Sequence, residues 1–387
     1  MNSCGDFASP QLFQSTTMSR LTTGTKQGQL TERIRGTAGK LPGAGQGEAE
    51  MGRQVTAGVK AGPCFKTGHS FKTGQALGRV MVLGAALCGL AGAGLARQDN
   101  APVRPVTMAE ILAASPAADW RRLDPENTLY LDLETPGGER GRVVIELAPA
   151  FAPRHVDVIR KIARGGAVSP AVTRVQDGFV TQWRLTTKEL PALPAEFTRK
   201  ARSSSEAGPD LRFTALPDRD TFAPEVGFVD GFPAARDPES GTAWLVHCYG
   251  MVAVGRDNAA NSGNGAELYT VIGQAPRQLD RNMTVVGRIV SGVELLSALP
   301  RGKGAMGFYE APQNPVAIRA VRLAADLPAA EQVALDVLRT DSPTFTALVE
   351  ARRNRRDAFY HVPANAIDVC SVPLPVRESR PETAQAR

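Results

Sequence analysis

One guanidinium, one aromatic ring and one carboxamide stand close together in the stretch VTRVQDGFVTQW, residues 172–183. They are Arg174, Phe179 and Gln182, at spacings of five and three. Their neighbours Val172, Val175 and Val180 are apolar, and Gly178 supplies a turn. A packed strand gains nothing from an arginine, so this one needs a reason. Arginine offers a rigid fork of donors that stays charged. Beside it a carboxamide can donate and accept, and a ring can form an apolar wall. Such a set is an unusual way to build a core. Taken alone, Phe179 could equally be core and Arg174 one half of a surface salt bridge.

No other chemistry competes. His155, His247 and His361 stand alone in the sequence, each readable as a surface or core histidine. No His/Cys/Asp group has metal-ligand spacing, and DNAANSGNG from Asp257 lacks the oxygen pattern of a calcium loop. GAGQGE at Gly43–Glu48 follows no strand and has the wrong spacing for a nucleotide loop. No metal or cofactor is expected.

Three stretches occur in the order seen in one family. The first, 172–183, resembles the "HRV–GF–Q" motif of the cyclophilins, the peptidyl-prolyl cis-trans isomerases. NGAELYTVIG from Asn264 resembles their "NGSQFFI", with Ala266, Glu267, Leu268 and Tyr269 as replacements. QLDRNMTVVGRIVSGVELL from Gln278 resembles "WLDGKHVVFGKVVEGMDVV", with Leu279, Asp280, Val285, Gly287 and Gly292 fitting directly. PAEF at Pro194–Phe197 resembles a shorter motif. The resemblance spans about Thr128 to Leu323 and is weakest between Trp183 and Tyr249.

The resemblance implies a closed eight-stranded antiparallel barrel capped by two helices, mainly β in class. It implies rotation about X-Pro bonds, which amide resonance slows with a barrier of ~18–20 kcal/mol. Arg174 would donate to the prolyl nitrogen, and Gln182 would bond the substrate backbone and orient Arg174. Phe179, Val180, Tyr269, Leu279 and Met283 would line the proline pocket, though Leu279 alone could be core. Gly255 and Arg256 replace an Ala-Asn pair whose backbone holds the substrate. Met283 replaces a histidine, and Gln278 a frequent tryptophan. Trp183, in place of a glycine, would narrow the groove beside Gln182. Proline-containing polypeptides would be the substrates. The alternative is a cyclophilin-like peptide-binding or chaperone module with negligible turnover.

The elements that must position these residues are partly legible. TLYLDLET from Thr128 and RVVIELA from Arg142 alternate with period two. Pro136-Gly137-Gly138 turns between them, so a hairpin is predicted. APRHVDVIRKIARGG reads as a helix with Val156, Ile159, Ile162 and Ala163 on one face and Gly165 as its stop. GMVAV at Gly250–Val254 reads as a strand, Val293–Leu299 as the second capping helix, and VAIRAVRL at Val316–Leu323 as the closing strand. Residues 184–249 read as a polar, loop-like insertion within a domain spanning 128–325. Residues 326–387 read as a helical extension, with one helix over Ala329–Arg339 and another after Ser342-Pro343. Val333, Val337, Phe345, Leu348 and Val349 are too apolar to be left in water.

Charge divides the chain of 387 residues, whose net is +6. Residues 1–80 hold ten Lys/Arg against four acids and carry all of that excess. The neutral remainder offers no electrostatic footprint for nucleic acid. Residues 1–79 lack periodicity and read as a disordered basic segment, which fits a start assigned upstream of the true one; a basic functional tail is the other reading. Val80–Ala96 is apolar, uncharged, preceded by Lys72 and Arg79, and ends on small residues. This is the layout of a secretory signal, too short and too rich in Gly and Ala for a stable span. The mature chain would start near Arg97, with a short helix and linker over 97–127, and work in the periplasm or elsewhere outside the cytosol. It would keep Cys248 and Cys370. These could pair in an oxidising compartment or stay as two buried thiols.

Overall fold

A computed structural model describes residues 106–200, 211–355 and 359–379. The basic segment, the signal and the expected start at Arg97 lie outside the described residues.

Helix α1 (Met108–Ala113) opens on a capping box between Thr107 and Glu110. Strand β1 (Trp120–Arg122) follows. The hairpin is β2 (Thr128–Glu134) and β3 (Arg140–Leu147), turned at Gly138 with φ 85°. Helix α2 (Pro153–Lys161) starts on proline and ends on basic residues. It runs into a wider turn that Gly165 breaks at φ 135°. Then come β4 (Ala171–Val175) and β5 (Val180–Arg184).

The insertion differs from the loop expected there. It holds β6 (Arg199–Lys200), β7 (Phe213–Ala215), β8 (Glu225–Val229), β9 (Phe232–Asp237) and β10 (Thr242–Leu245). These form one antiparallel sheet in the order β6-β10-β9-β8-β7. At its centre Asp230-Gly231, both at positive φ, join two apolar runs. That is a two-residue hairpin of the primed type.

The chain returns to the barrel with β11 (Met251–Val254), β12 (Glu267–Val271), β13 (Val285–Ser291), the short helix α3 (Val293–Ser297) and β14 (Val316–Leu323). Eight strands close in the order β11-β12-β5-β4-β14-β2-β3-β13. Leu129, Leu131, Val143, Ile145, Val172, Trp183, Val252, Leu268 and Val286 fill the interior. Val156 and Ile159 of α2 and Leu296 of α3 close its ends. Trp183 therefore does not narrow the groove. It follows Gln182 by one residue, and strand alternation turns it into the barrel.

Beyond β14 the expected helix over Ala329–Arg339 is a strand instead. A single turn at Ala329–Glu331 leads to β15 (Leu335–Leu338), paired with β1 and with β16 (Val376–Glu378). Leu335 and Val337 point the same way, against Tyr130 and Val144 on the outside of the barrel. Period two has won over helical spacing in a short apolar run. Helix α4 (Pro343–Arg353) forms as expected, capped by Ser342. Its Phe345 meets Phe228 of the inserted sheet edge-on at 5.0 Å. Cys248 and Cys370 form a disulfide, Cα atoms 5.0 Å apart, which joins the end of the insertion to the extension.

Candidate active site

The site begins with an irregularity in β4. Register shifts between Val172 and Arg174, so that Val172 and Val175 both face the interior while Arg174 faces out. Arg174 then stands opposite Gln182 of β5, Gln182 opposite Tyr269 of β12, and Tyr269 opposite Ala253 of β11. Four strands thus carry one transverse row on the barrel's outer face.

Arg174 is fully buried. Its Nε donates to the Met306 carbonyl at 2.7 Å, and one terminal nitrogen donates to Gln182 Oε1 at 3.3 Å. The other terminal nitrogen donates to Gln176 Oε1. Phe308 and Phe179 offer their rings to the guanidinium carbon at 5.2 and 5.8 Å. These oxygens and rings are neutral. Burial pulls the Arg174 pKa down to about 10, while Tyr269 works weakly the other way. The side chain therefore remains cationic at neutral pH, but as a desolvated cation whose field is little screened.

Gln182 serves two partners. Its oxygen accepts from Arg174, and its amide also bonds the Glu267 carboxyl. Burial raises the Glu267 pKa, and Gln182 and Arg184 offset part of that rise. Gly255 lies beside Gln182: a Cβ built there would sit 3.6 Å from the Gln182 amide nitrogen. Arg256 is spent on its own loop and on the segment before β13. It donates to the carbonyls of Asn282, Asp257 and Asn258 and covers the Phe197 ring at 5.5 Å.

Val180, Tyr269, Leu279 and Met283 are all buried, in one apolar cluster with Trp244, Leu245 and Val246 of the insertion. Phe179 is half-buried against the same cluster. The expected pocket walls are thus together, with Phe179 as the most accessible of them. Tyr269 carries a polar end, and its hydroxyl lies 3.0 Å from His247 Nε2. His247 Nδ1 lies 2.9 Å from Asp280.

The sequence of residues 130–323 matches the family model described as cyclophilin type peptidyl-prolyl cis-trans isomerase/CLD. This chain belongs to the cyclophilin-type isomerase family. Relatives named "Probable peptidyl-prolyl cis-trans isomerase" in Brucella suis and Brucella melitensis are each 28% identical over 205 residues, 52% of this chain and 85% of theirs. The crystal structure of cyclophilin AquaCyp293 from Hirschia baltica superposes with a TM-score of 0.54 at 27% identity. It covers 71% of this chain and 99% of its own. That overlap exceeds the family match, so the shared fold takes in more than the barrel.

In this cyclophilin, several residues at the site escaped the motif comparison. Gln176, Met306 and Phe308 hold Arg174, yet only Gln176 is near it in sequence. The glycines of RGKGAMGFY are the sequence signal that could have marked a close-packed segment. Gly307 has φ 81°, and a Cβ there would meet the Val175 carbonyl at 2.6 Å. His247 had no sequence partner because Asp280 and Tyr269 lie more than twenty residues away. Among the described residues no group of three His, Cys, Asp or Glu is placed to hold a metal.

Proposed function

We propose that this cyclophilin rotates X-Pro bonds in exported polypeptides, with Arg174 as the catalytic donor. One observation carries the assignment. Arg174 and Gln182 are bonded on adjacent strands, beside an apolar wall of Phe179, Val180, Tyr269, Leu279 and Met283. Rotation needs little bond chemistry. A prolyl ring must be held and the C–N double-bond character weakened. The planar prolyl nitrogen has no lone pair to offer, whereas the twisted one does. A guanidinium aimed at that nitrogen therefore binds the twisted state alone, which is what accelerates a step. Gln182 supports the aim from its own strand, and the backbone at Gly255 and Arg256 would hold the flanking peptide.

The deciding experiment follows cis–trans exchange in a short Ala-Pro peptide by NMR, with wild type and Arg174→Ala. Saturable exchange in wild type, lost on substitution while the fold and peptide affinity persist, is the expected result. Peptide binding without exchange in wild type would leave the second reading, a binding module. The complete burial of Arg174 favours that reading.

Export is supported by two features, the Val80–Ala96 signal pattern and the Cys248–Cys370 disulfide. Disulfides persist in oxidising compartments. N-terminal sequencing of protein recovered outside the cytosol should begin near Arg97. Retention of Met1 on cytosolic protein would sink the export reading alone.

A further inference from the structure

A buried chain of polar groups runs from the insertion to the floor of the proline pocket. Asp220, in the loop before β8, grips Arg277 with both oxygens at 2.7 and 2.8 Å. Arg277 Nε donates to Asp280 at 2.7 Å. The other Asp280 oxygen accepts from the His247 backbone N–H at 3.0 Å and faces the ring Nδ1 at 2.9 Å. His247 Nε2 lies 3.0 Å from the Tyr269 hydroxyl, the two rings nearly parallel at 13°. The side chains of Asp220, Arg277, Asp280 and His247 are each at most 5% exposed, and Tyr269 is 0% exposed.

The direction of each bond follows from the partners. The Asp280 carboxylate can only accept, so His247 Nδ1 carries the proton. In a neutral imidazole Nε2 is then the acceptor, and Tyr269 donates to it. Burial first, then the nearby Asp280 charge, keeps the Tyr269 phenol protonated by raising its pKa. The hydroxyl is thereby bonded to His247, while the ring packs in the apolar cluster with Leu279 and Met283.

We propose that His247, fixed by Asp280, is a positioning residue of the isomerase site: it tethers the Tyr269 hydroxyl and so sets the ring that a substrate proline packs against. The proposal rests on the isomerase reading above and gives the insertion a task. His247 and Asp220 both belong to that segment. The segment supplies the outer end of the tether, while the barrel supplies Tyr269.

The test compares kcat and KM for Ala-Pro exchange in wild type, Tyr269→Phe, His247→Phe, His247→Gln and the double His247→Phe/Tyr269→Phe. Tyr269→Phe keeps the ring and removes only the tether. It should raise KM about tenfold with a smaller change in kcat, the scale of one lost buried hydrogen bond. His247→Phe should raise KM at least as much, because it also strands a buried hydroxyl. His247→Gln, which retains an acceptor, should recover part of that loss. The double variant should be better than His247→Phe alone, since no hydroxyl is left stranded. If Tyr269→Phe keeps wild-type KM and kcat, or the double variant is no better than His247→Phe, the tether has no role and the proposal is wrong. If His247→Phe does not fold, the Tyr269→Phe and His247→Gln pair decides by the same KM criterion. Wild-type exchange separates the two claims. Its absence overturns the isomerase reading, whereas active wild type with indifferent variants overturns only the tether.

Discussion

At the scale of the residue, the central fact is an arginine taken out of water and held by neutral oxygens and rings. A hydrated cation would have to shed water to meet a prolyl nitrogen. Arg174 has already done so, and burial has lowered its pKa without discharging it at neutral pH. Two substitutions should therefore separate. Arg174→Ala should cut kcat by about a hundredfold or more with little change in peptide affinity, the scale seen when one donor to a transition state is removed. Arg174→Lys should rescue poorly, because one ammonium cannot bond Met306, Gln182 and Gln176 as the fork does. Phe179→Ala should instead weaken proline-peptide binding, by ~3 kcal/mol or more if the ring is fully covered in the complex. Affinity and exchange measured on the same peptide distinguish these patterns. These three side chains were legible because they lie within nine residues of one another. The companions Met306 and Phe308 were not, because only closure of the barrel brings residue 306 to residue 174.

At the scale of the element, the turn over Ala305–Gly307 holds Arg174 through the Met306 carbonyl. A guanidinium with no exposed surface cannot meet a substrate until one of the groups covering it moves. The turn is knitted to β4 by close backbone approach at Gly307, where a Cβ would also meet Gln176 Cα at 2.7 Å. Gly307→Ala should therefore lower both melting temperature and kcat, since displacing the turn removes the Met306 bond to Arg174. Gly138→Ala is the control. Its φ of 85° carries similar backbone strain, but nothing lies within 4 Å, so it should lose about 1 kcal/mol of stability and no turnover. Helix α2 offers a second test. Glu196 of the PAEF segment accepts from the Arg154 and His155 backbone N–H groups at 3.2 Å and from His155 Nδ1 at 2.8 Å. Burial works to raise the Glu196 pKa, but these bonds prevail and hold it below its ordinary 4.5. The unfolded chain then binds this proton more readily than the folded one. The bonds should stabilise the fold fully above about pH 4.5, and their benefit should fade as acid protonates the folded carboxylate. Urea unfolding should show Glu196→Gln weaker by about 1–2 kcal/mol at pH 7, with the gap closing toward pH 3. A gap independent of pH would mean that the charge is not what matters.

Legibility at this scale followed periodicity. The β2–β3 hairpin and α2 alternate cleanly and sit where the pattern puts them. The inserted sheet was hidden because β8 and β9 are buried on both faces and show no alternation. Its one local signal was Asp230-Gly231 between apolar runs. In the extension, VALDVL fits either period over so few residues, and pairing with β1 and β16 decided it.

At the scale of the whole molecule, insertion and extension brace each other over the active face. Phe228 packs on Phe345, Arg353 grips Asp218 with two bonds of 2.7 Å, and Cys248 is bonded to Cys370. The disulfide closes a loop of 122 residues that contains β11 to β14 and α4. It also anchors the residue next to His247, so the tether to Tyr269 hangs from this brace. Loop-closure entropy assigns about 4–5 kcal/mol to a crosslink of that span, and native disulfides commonly contribute ~2–5 kcal/mol. Cys248→Ala/Cys370→Ala should therefore melt well below wild type, and reductant should lower wild type toward the same curve. Under conditions where the variant stays folded, kcat should hold, because Arg174 and Gln182 lie on barrel strands. KM should rise, because the segment carrying His247 has lost its clamp. A melting curve indifferent to both substitution and reductant would show that packing alone docks the extension. A variant that loses kcat as well would show that the brace reaches Arg174.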